Sequence, residues 1–382
     1  MISEAQKQDL RDRNPVTTVA GKWVKLRRGG AKGCMVGPCP LHSIDPTAKD
    51  STSFEAWADG WVCATCEDGG DVFKLVMLHD GVGFMEAVKI LGGEQEVDPE
   101  VAARRERERQ ERKAQEEAED RRRRERDMTR CERLFDRARP IAGTLAAHYL
   151  ESRGMAVDPS WTFDLRYMRG LPYFGYADEA AEEVRDLGDH PAMLAAIRDA
   201  AGSLIGVHRT YLEAGTGAKL APPGDRKRNK AKKITGEQKG GLIRLSPIRP
   251  YLAMGEGIET SRSWRVLRSP TSRDWAIAAA VSLGNLSGRA LTRRDHPSAR
   301  MPSGRPMQVP VDPDLDSPGI VLPAGVEVVA ILGDGDSDPV MTQARLLMGG
   351  RRFQHQGVEV LYDLAPRGAD FNDVLMQRRR TS

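Results

Sequence analysis

The stretch "GPCPLH" at 37–42 is answered by "CATC" at 63–66, and the reading of these two segments sets the front of the fold. Cys39 and His42 form a C-x-x-H pair, and Cys63 and Cys66 form a C-x-x-C pair. Zinc favours tetrahedral sulfur and nitrogen ligands, and a two-residue gap lets one tight turn supply two of them. Cys34 is a fifth candidate. A closed structural site takes four protein ligands, so one of the five is spare, and Cys34 breaks the regular spacing. Four protein ligands also leave no open position, which makes the site structural instead of catalytic. The competing reading is a set of chance cysteines in a reduced compartment. Between the pairs, "SFEAWADGWVCATC" alternates around Asp59-Gly60, a two-residue hairpin signal. "GDVFKLVML" and "FMEAVKILGG" then carry apolar residues at helical spacing, with Asp71 placed to cap the first helix.

The chain has 382 residues, room for two or three domains with cores of their own. Charged residues are plentiful and aromatics few, and no apolar run approaches the roughly 18–20 residues a bilayer span needs. The opening "MISEAQKQDLRDRNPV" lacks the basic-apolar-small pattern of a secretory signal. Together these predict a cytoplasmic protein with no membrane partner. Five cysteines in such a chain are poor material for a disulfide framework. The net charge of +3 is spread unevenly. "KLAPPGDRKRNKAKK" (219–233) holds seven basic residues against one acid, and 284–306 holds five arginines against one acid. Basic concentrations beside acidic motifs point to a polyanionic partner whose phosphates are met by metal ions; solvated loops are the plain alternative.

Four segments follow from these patterns. Residues 1–95 carry the cysteines. In the segment 96–139, residues 101–139 are almost all Arg, Glu, Ala, Lys and Gln, with opposite charges three and four apart, as in Glu106 with Arg109 and Glu108 with Arg112. That predicts an exposed helical linker that buries nothing, with acids offsetting its arginines. Residues 140–245 mix a helix ("TLAAHYLESRG") with strand-like runs ("HPAMLAAIRD", "LIGVHRTYL", "GGLIRL"). Residues 246–382 alternate strand and helix, which predicts a parallel sheet, with a Pro/Gly-rich insertion at about 287–324. The expected fold class is multidomain, α+β and α/β: zinc ribbon with helices, charged helix, mixed subdomain, parallel-sheet domain.

Three acidic clusters stand at predicted strand ends in the last segment: Glu256 in "LAMGEGIET", Asp334 and Asp336 in "VVAILGDGDSD", and Asp370 and Asp373 in "GADFND". Functional groups of an open parallel sheet gather at the carboxyl ends of its strands. Convergent carboxylates without histidine suit magnesium. An EF-hand reading of "DGDSDPVMTQAR" fails, because position six is Pro339 and position twelve is Arg345. "GEGIET" lacks the third glycine of a dinucleotide loop. An Asp-x-Asp phosphatase leaves the zinc ribbon and Glu256 unexplained. Any single acid here could also cap a helix, as Asp338 before Pro339 is placed to do.

"CPLH", "STSFEAW", "WVCATC", "GGDVFKLVM" and "FMEAVKILG", with "VAGKWVKLRRGG" ahead of them, resemble the zinc-binding domain of bacterial and phage DNA primases. "KGCMVGPCPLH" makes a longer approach to the first ligand than that family has, which puts Cys34 outside its pattern. "EGIET", "DGDSD" and "GADFND" resemble the TOPRIM catalytic domain of primases and topoisomerases. "YLESRG", "HPAMLAAIRDAAGSLIGVHRTYL" and "AKKITGEQKGGLIRL" resemble the basic subdomain that precedes it. The resemblance implies a phage, plasmid or mobile-element primase that makes short RNA primers on single-stranded DNA from nucleoside triphosphates. It implies structural zinc on Cys39, His42, Cys63 and Cys66, and magnesium or manganese on Glu256, Asp334, Asp336, Asp370 and Asp373. Glu256, Asp334 and Asp336 would be catalytic, and Glu256 is open to either metal binding or acid/base work. Arg209, Lys219, Lys232 and Lys233 would meet nucleotide and template phosphates, and Lys25, Trp57 and Trp61 the single strand, unless the tryptophans pack the hairpin. No G-x-x-x-x-G-K-S/T loop is present. A replicative helicase would therefore come from another chain. The alternatives are a zinc-dependent single-strand-binding or loading factor with an inactive core, and a TOPRIM nuclease.

Overall fold

The computed structural model describes the chain except residues 1, 30–32, 44, 48–51, 67, 94–98, 270, 273, 301–305 and 382, and except the side chains of 5, 99–103, 105 and 106. The chain forms two compact units, 1–119 and 120–382, with the boundary inside one long helix.

In the first unit, α1 (Glu4–Arg13) and α2 (Val16–Ala20) precede the strands β1 (Arg27–Arg28), β2 (Met35–Gly37), β3 (Phe54–Ala56), β4 (Trp61–Cys63) and β5 (Asp68–Gly70), followed by α3 (Val72–Asp80) and α4 (Phe84–Ile90). The strands form an antiparallel sheet in sequence order. Alternation decides its faces: Phe54, Ala56, Trp61 and Cys63 point inward, while Glu55 and Val62 point out. The Trp57 N–H donates to the Gly60 carbonyl at 2.8 Å, which centres the hairpin turn on Ala58 and Asp59, one residue earlier than the Asp59-Gly60 pair suggests. Asp71 caps α3 by accepting from the Lys74 N–H. The same carboxylate receives the Arg11 guanidinium at 2.9 Å, tying α1 to the start of α3. Buried Leu10, Val19, Phe54, Trp61, Phe73 and Leu75 fill the core between.

Helix α5 (Pro99–Asp136) follows from the Glu/Arg/Ala-rich run. Arg104–Glu108 and Lys113–Glu117 pair across one turn, as that composition predicts; Glu106 lies outside the described side chains. The C-terminal end departs from the expected bare helix. Cys131 and Phe135 are buried against Leu171, Tyr173, Leu194 and Val207. Together with partly buried Leu134, these two side chains four apart anchor the helix to a sheet.

That sheet comprises β6 (Arg139–Pro140), β7 (Leu165–Gly175), β8 (Arg185–Arg198), β9 (Leu204–Tyr211) and β10 (Lys232–Gly236), antiparallel in the order β10-β9-β8-β7-β6, with α6 (Leu145–Ser152) between β6 and β7. The rest of the chain reads β11 (Ile243–Arg244), β12 (Tyr251–Gly255), α7 (Ile258–Leu267), β13 (Trp275–Ala279), α8 (Leu283–Ser287), β14 (Arg293–Arg300), β15 (Pro306–Pro310), β16 (Val328–Gly333), α9 (Pro339–Gln354), β17 (Glu359–Leu364) and α10 (Phe371–Thr381). Its sheet runs β11-β13-β12-β16-β17, with β13, β12, β16 and β17 parallel and β11 antiparallel at one edge. Strands such as "YLAMG" and "WAIAA" are apolar throughout because both faces are covered. Ala253, Ile277 and Leu332 pack with Trp264 of α7 and Phe371 of α10. Leu252, Ala276 and Ile331 pack with Leu286 of α8 and Leu346 and Phe353 of α9. The insertion at 287–324 contributes the β14–β15 pair; its segment 301–305 lies outside the described residues.

Candidate active site

The zinc ligands meet at the ribbon's edge. Cys39, His42, Cys63 and Cys66 place their ligand atoms within 4.8 Å of one another, with Cys39 Sγ 3.7 Å and His42 Nδ1 3.0 Å from Cys66 Sγ. Backbone N–H groups of Leu41 and Cys66 point at the sulfurs of Cys39 and Cys63, stabilising thiolates. The crowding alters their acidity: hydrogen bonding from Cys39 draws the Cys63 thiol down to about 5, and the same contact moves Cys39 up. The donor set fits a closed structural zinc, three thiolates and one imidazole. Cys34 stands apart, buried, with its Sγ 3.8 Å from the Met35 carbonyl. Trp61 is buried and donates its indole N–H to the Asp71 carbonyl, so it packs the ribbon; Trp57 is half-buried and Lys25 exposed.

The acidic clusters meet at the other sheet. Strand β12 pairs with β13 on one side and β16 on the other, so successive crossovers leave β12 in opposite directions. The crevice at such a switch point lies beyond the carboxyl ends of the diverging strands. Glu256 follows β12 directly and Asp334 follows β16 directly. The two line a crevice of about 240 Å³ together with Asp370, Lys219, Lys232 and His208. The Thr260 hydroxyl, in the first turn of α7, donates to Asp334 Oδ2 at 3.0 Å, while Asp334 Oδ1 is buried without a hydrogen-bond partner. Burial, and the facing charges of Asp370, Asp336 and Glu256, push the Asp334 carboxyl up to about 6 against the Thr260 hydrogen bond. A buried, unpartnered carboxylate oxygen amid acids is a fit for a divalent cation.

The remaining predicted residues separate. Asp336 is exposed on the loop between β16 and α9. Asp370 and Asp373 cap α10 reciprocally: Asp370 Oδ1 accepts from the Asp373 N–H at 2.7 Å, and Asp373 Oδ2 from the Asp370 N–H at 3.2 Å. Asp338 caps α9. Strand alternation splits the cations. His208 and Lys232 face the crevice with Lys219, whereas Arg209 and Lys233 face away, Arg209 into a groove beneath α5. Lys233 lies over the Tyr173 ring and donates to the Phe174 carbonyl.

Several crevice residues escaped the sequence reading. Glu259 is buried and receives the Tyr149 hydroxyl at 2.6 Å and the Lys232 ammonium at 3.1 Å. Burial alone would raise its carboxyl, but the Lys232 charge and these hydrogen bonds hold it at about 2. His208 is buried beside Lys232, and desolvation lowers it to about 4, so it is neutral at pH 7. Val281, at the end of β13, takes φ of 71°, a conformation that costs a β-branched residue roughly 1–3 kcal/mol. Glu259 and Thr260 sit inside the quoted "GEGIET", where an acid followed by a hydroxyl in a first helical turn was the available signal. Tyr149 and Val281 gave none.

Residues 2–107 match the family described as a CHC2 zinc finger. Residues 125–245 match a domain of unknown function, DUF7146. The DNA primase of Listeria monocytogenes is 26% identical over 166 residues, 44% of this chain and 26% of that protein. The DNA primase of Mycobacterium leprae is 34% identical over 84 residues, 22% of this chain and 12% of that protein. The chain is thus similar in part to bacterial DNA primases, and it spans about a quarter, or less, of the length of those it matches. Among solved structures, the DnaG catalytic core overlaps it with a TM-score of 0.37 at 13% identity, covering 66% of this chain and 75% of that one. A DNA primase domain from Pseudomonas aeruginosa overlaps with a TM-score of 0.37 at 12% identity, covering 67% and 77%. Among the described residues, no helix is long and apolar enough to cross a membrane.

Proposed function

We propose that the chain is a primase: it joins nucleoside triphosphates into short RNA primers on a single-stranded DNA template at a TOPRIM-type crevice. The observation that carries this is the convergence of Glu256, Asp334 and Asp370 at the β12/β16 switch point, around an unpartnered Asp334 oxygen, in a chain with a primase-related zinc finger. The reaction is attack of a 3′-hydroxyl on an α-phosphate with departure of pyrophosphate. Magnesium or manganese bound there would supply charge neutralisation at the attacking and leaving oxygens. Asp334, Asp336, Glu256 and Asp370 are the residues to hold it; Asp373 shares the α10 cap with Asp370 but does not line the crevice. Lys232 and Lys219 stand at the crevice for triphosphate oxygens, and Glu259 fixes Lys232 in place.

The template's path has support in α5. Its second half turns Arg122, Arg126, Arg130 and Arg133 toward one groove of about 980 Å³, joined by Arg137 just past its end, by Arg209 from β9 and by the half-exposed Phe174. Glu125 and Asp189 line the same groove, where the arginines outnumber them six to two, so charges that nearly cancel along the chain do not cancel in space. Cations beside an aromatic ring suit the backbone and bases of a single strand. A helicase from another chain, a mobile-element origin and a cytoplasmic location complete the reading.

The test is de novo synthesis with single-stranded template, nucleoside triphosphates and magnesium or manganese. Template-dependent oligonucleotides are the expected product. Binding without synthesis would favour a loading factor, and nicked DNA a nuclease.

A further inference from the structure

The 287–324 insertion is fastened to both ends of α9. Arg351 donates to the Val311 carbonyl and to Asp312, at 3.0 and 2.6 Å. Arg352 reaches the carbonyls of Asp314 and Ser317, and Gln356 exchanges hydrogen bonds with Ile320 and Leu322. These anchors grip the last turn of a 16-residue helix about 24 Å long and the residues just beyond it. The contact at its other end is different in kind. His296 of β14 is buried although its strand neighbours are exposed, and its Nε2 lies 3.2 Å from Asp338 Oδ1. Its Nδ1 accepts from the backbone N–H groups of Ser298 and Ala299, at 3.1 and 2.8 Å. The proton therefore resides on Nε2, and the imidazole donates to Asp338.

Asp338 ends the five-residue acidic loop that begins at Asp334. Thr260 holds Asp334, and Gly335 exchanges backbone hydrogen bonds with Ala369 and Gly368, at 2.9 and 2.7 Å. A Cβ at Gly335 would stand 2.2 Å from the Pro366 carbonyl, so only glycine allows that approach. Asp336 and Ser337 are exposed between these attachments. Asp338 Oδ1 also caps α9 by accepting from the Met341 N–H at 2.8 Å, so without His296 the outer end of the loop keeps its hold on the helix and loses only its link to the insertion.

We propose that His296 is a positioning residue through which the insertion, by way of Asp338, fixes the Asp334–Asp338 loop so that Asp336 is presented to the cation beside Asp334. The proposal rests on the reading of that loop as a divalent-cation site. Ordering one residue's backbone shifts an equilibrium by roughly 5- to 30-fold, so releasing the tether should weaken cation binding by about that much.

The variants separate the tether from the hairpin that bears it. His296→Asn keeps an acceptor for Ser298 and Ala299 but cannot reach Asp338. His296→Gln places its amide donor near the Nε2 position. Asp338→Ser keeps a capping oxygen and removes the link. In the full chain without added metal, hydrogen exchange across 334–338 should quicken in H296N and D338S and stay near wild type in H296Q. Manganese binding, followed by electron paramagnetic resonance, should be about 5- to 30-fold weaker in H296N and restored by H296Q. Wild-type affinity and exchange in H296N, with binding abolished in D334N, would overturn the proposal and leave the cation site standing. Failure of H296Q to restore either quantity would also count against it. A wild-type chain with no Asp334-dependent manganese site would remove both the reading and the proposal.

Discussion

The zinc cluster and the acidic crevice both gather hard-to-bury groups around one point, but they draw on the chain differently. Cys39 and Cys66 are 27 residues apart, and each half of the cluster comes from a single tight turn. In the crevice, Thr260 reaches Asp334 across 74 residues and Tyr149 reaches Glu259 across 110. A cluster built from local turns depends on its metal for cohesion. A crevice built at strand ends is shaped by two packed cores, and keeps a repulsive set of carboxylates because the sheet around it is stable.

The largest effect that would sharpen this contrast is loss of a zinc ligand. Cys63→Ser should release the metal and unfold the ribbon, since structural zinc contributes about 10–16 kcal/mol of apparent folding free energy in isolated fingers. Residues 120–382 should stay folded, judged by hydrogen exchange, and Cys34→Ser should leave zinc content unchanged. A zinc-free C34S protein would break the four-ligand assignment.

Next is Glu259, the buried partner of Lys232. Its carboxyl is held at about 2, below the ordinary value of 4.5. A depressed acid stabilises the fold fully above the ordinary value, and that contribution fades as pH falls from about 4.5 toward 2. Glu259→Gln should cost roughly 2–3 kcal/mol at pH 7, the scale of a lost charged hydrogen bond. It should also flatten the acid limb of stability in denaturant titrations. An unchanged limb would refute the pairing.

Asp334 has the opposite sign. Its carboxyl is raised to about 6 from 3.8, so the fold is favoured by protonation, and the ionised form is a burden as pH rises through 6. Asp334→Asn should therefore stabilise the metal-free chain at pH 7.5, by roughly 1–2 kcal/mol, as sites that store repulsion for function do. A destabilised D334N would mean that the carboxylate is structural.

The smallest effect lies in the α5 groove. Replacing Arg126 and Arg130 together with alanine should weaken binding of a single-stranded oligonucleotide. It should also lower the slope of log affinity against log salt by about 0.7 for each phosphate that the arginines no longer neutralise. An unchanged slope would detach the groove from the template path.

These two regions also divide what could be read in advance. The zinc ligands were legible because spacing alone carries the geometry. The strand-end positions of Glu256, Asp334 and Asp370 were legible because apolar runs alternate with amphipathic ones. The faces taken by Arg209 and Lys233 were not: in a strand, neighbours point to opposite faces, and "HR" or "KK" does not say which residue faces the crevice. Glu259, Tyr149 and Lys232 form one contact set from three distant segments, and local pattern is blind to that. The hairpin turn was displaced by one residue because backbone pairing at Trp57 and Gly60, not the Asp-Gly signature, fixed its register. Cys131 and Phe135 were overlooked because two apolar residues in a charged run leave the helix looking solvated.

The central claim is that the acidic crevice performs nucleotidyl transfer while the ribbon serves structure and template. D334N tests it most directly, because one oxygen becomes an amide and the shape of the crevice is kept. The wild-type chain should make template-dependent oligonucleotides with manganese or magnesium. D334N should lose that synthesis by more than about 100-fold, exceeding the usual cost of even a ligand-supporting partner at a metal site. It should retain one zinc per chain and wild-type affinity for single-stranded DNA. Synthesis by D334N at the wild-type rate would contradict the account.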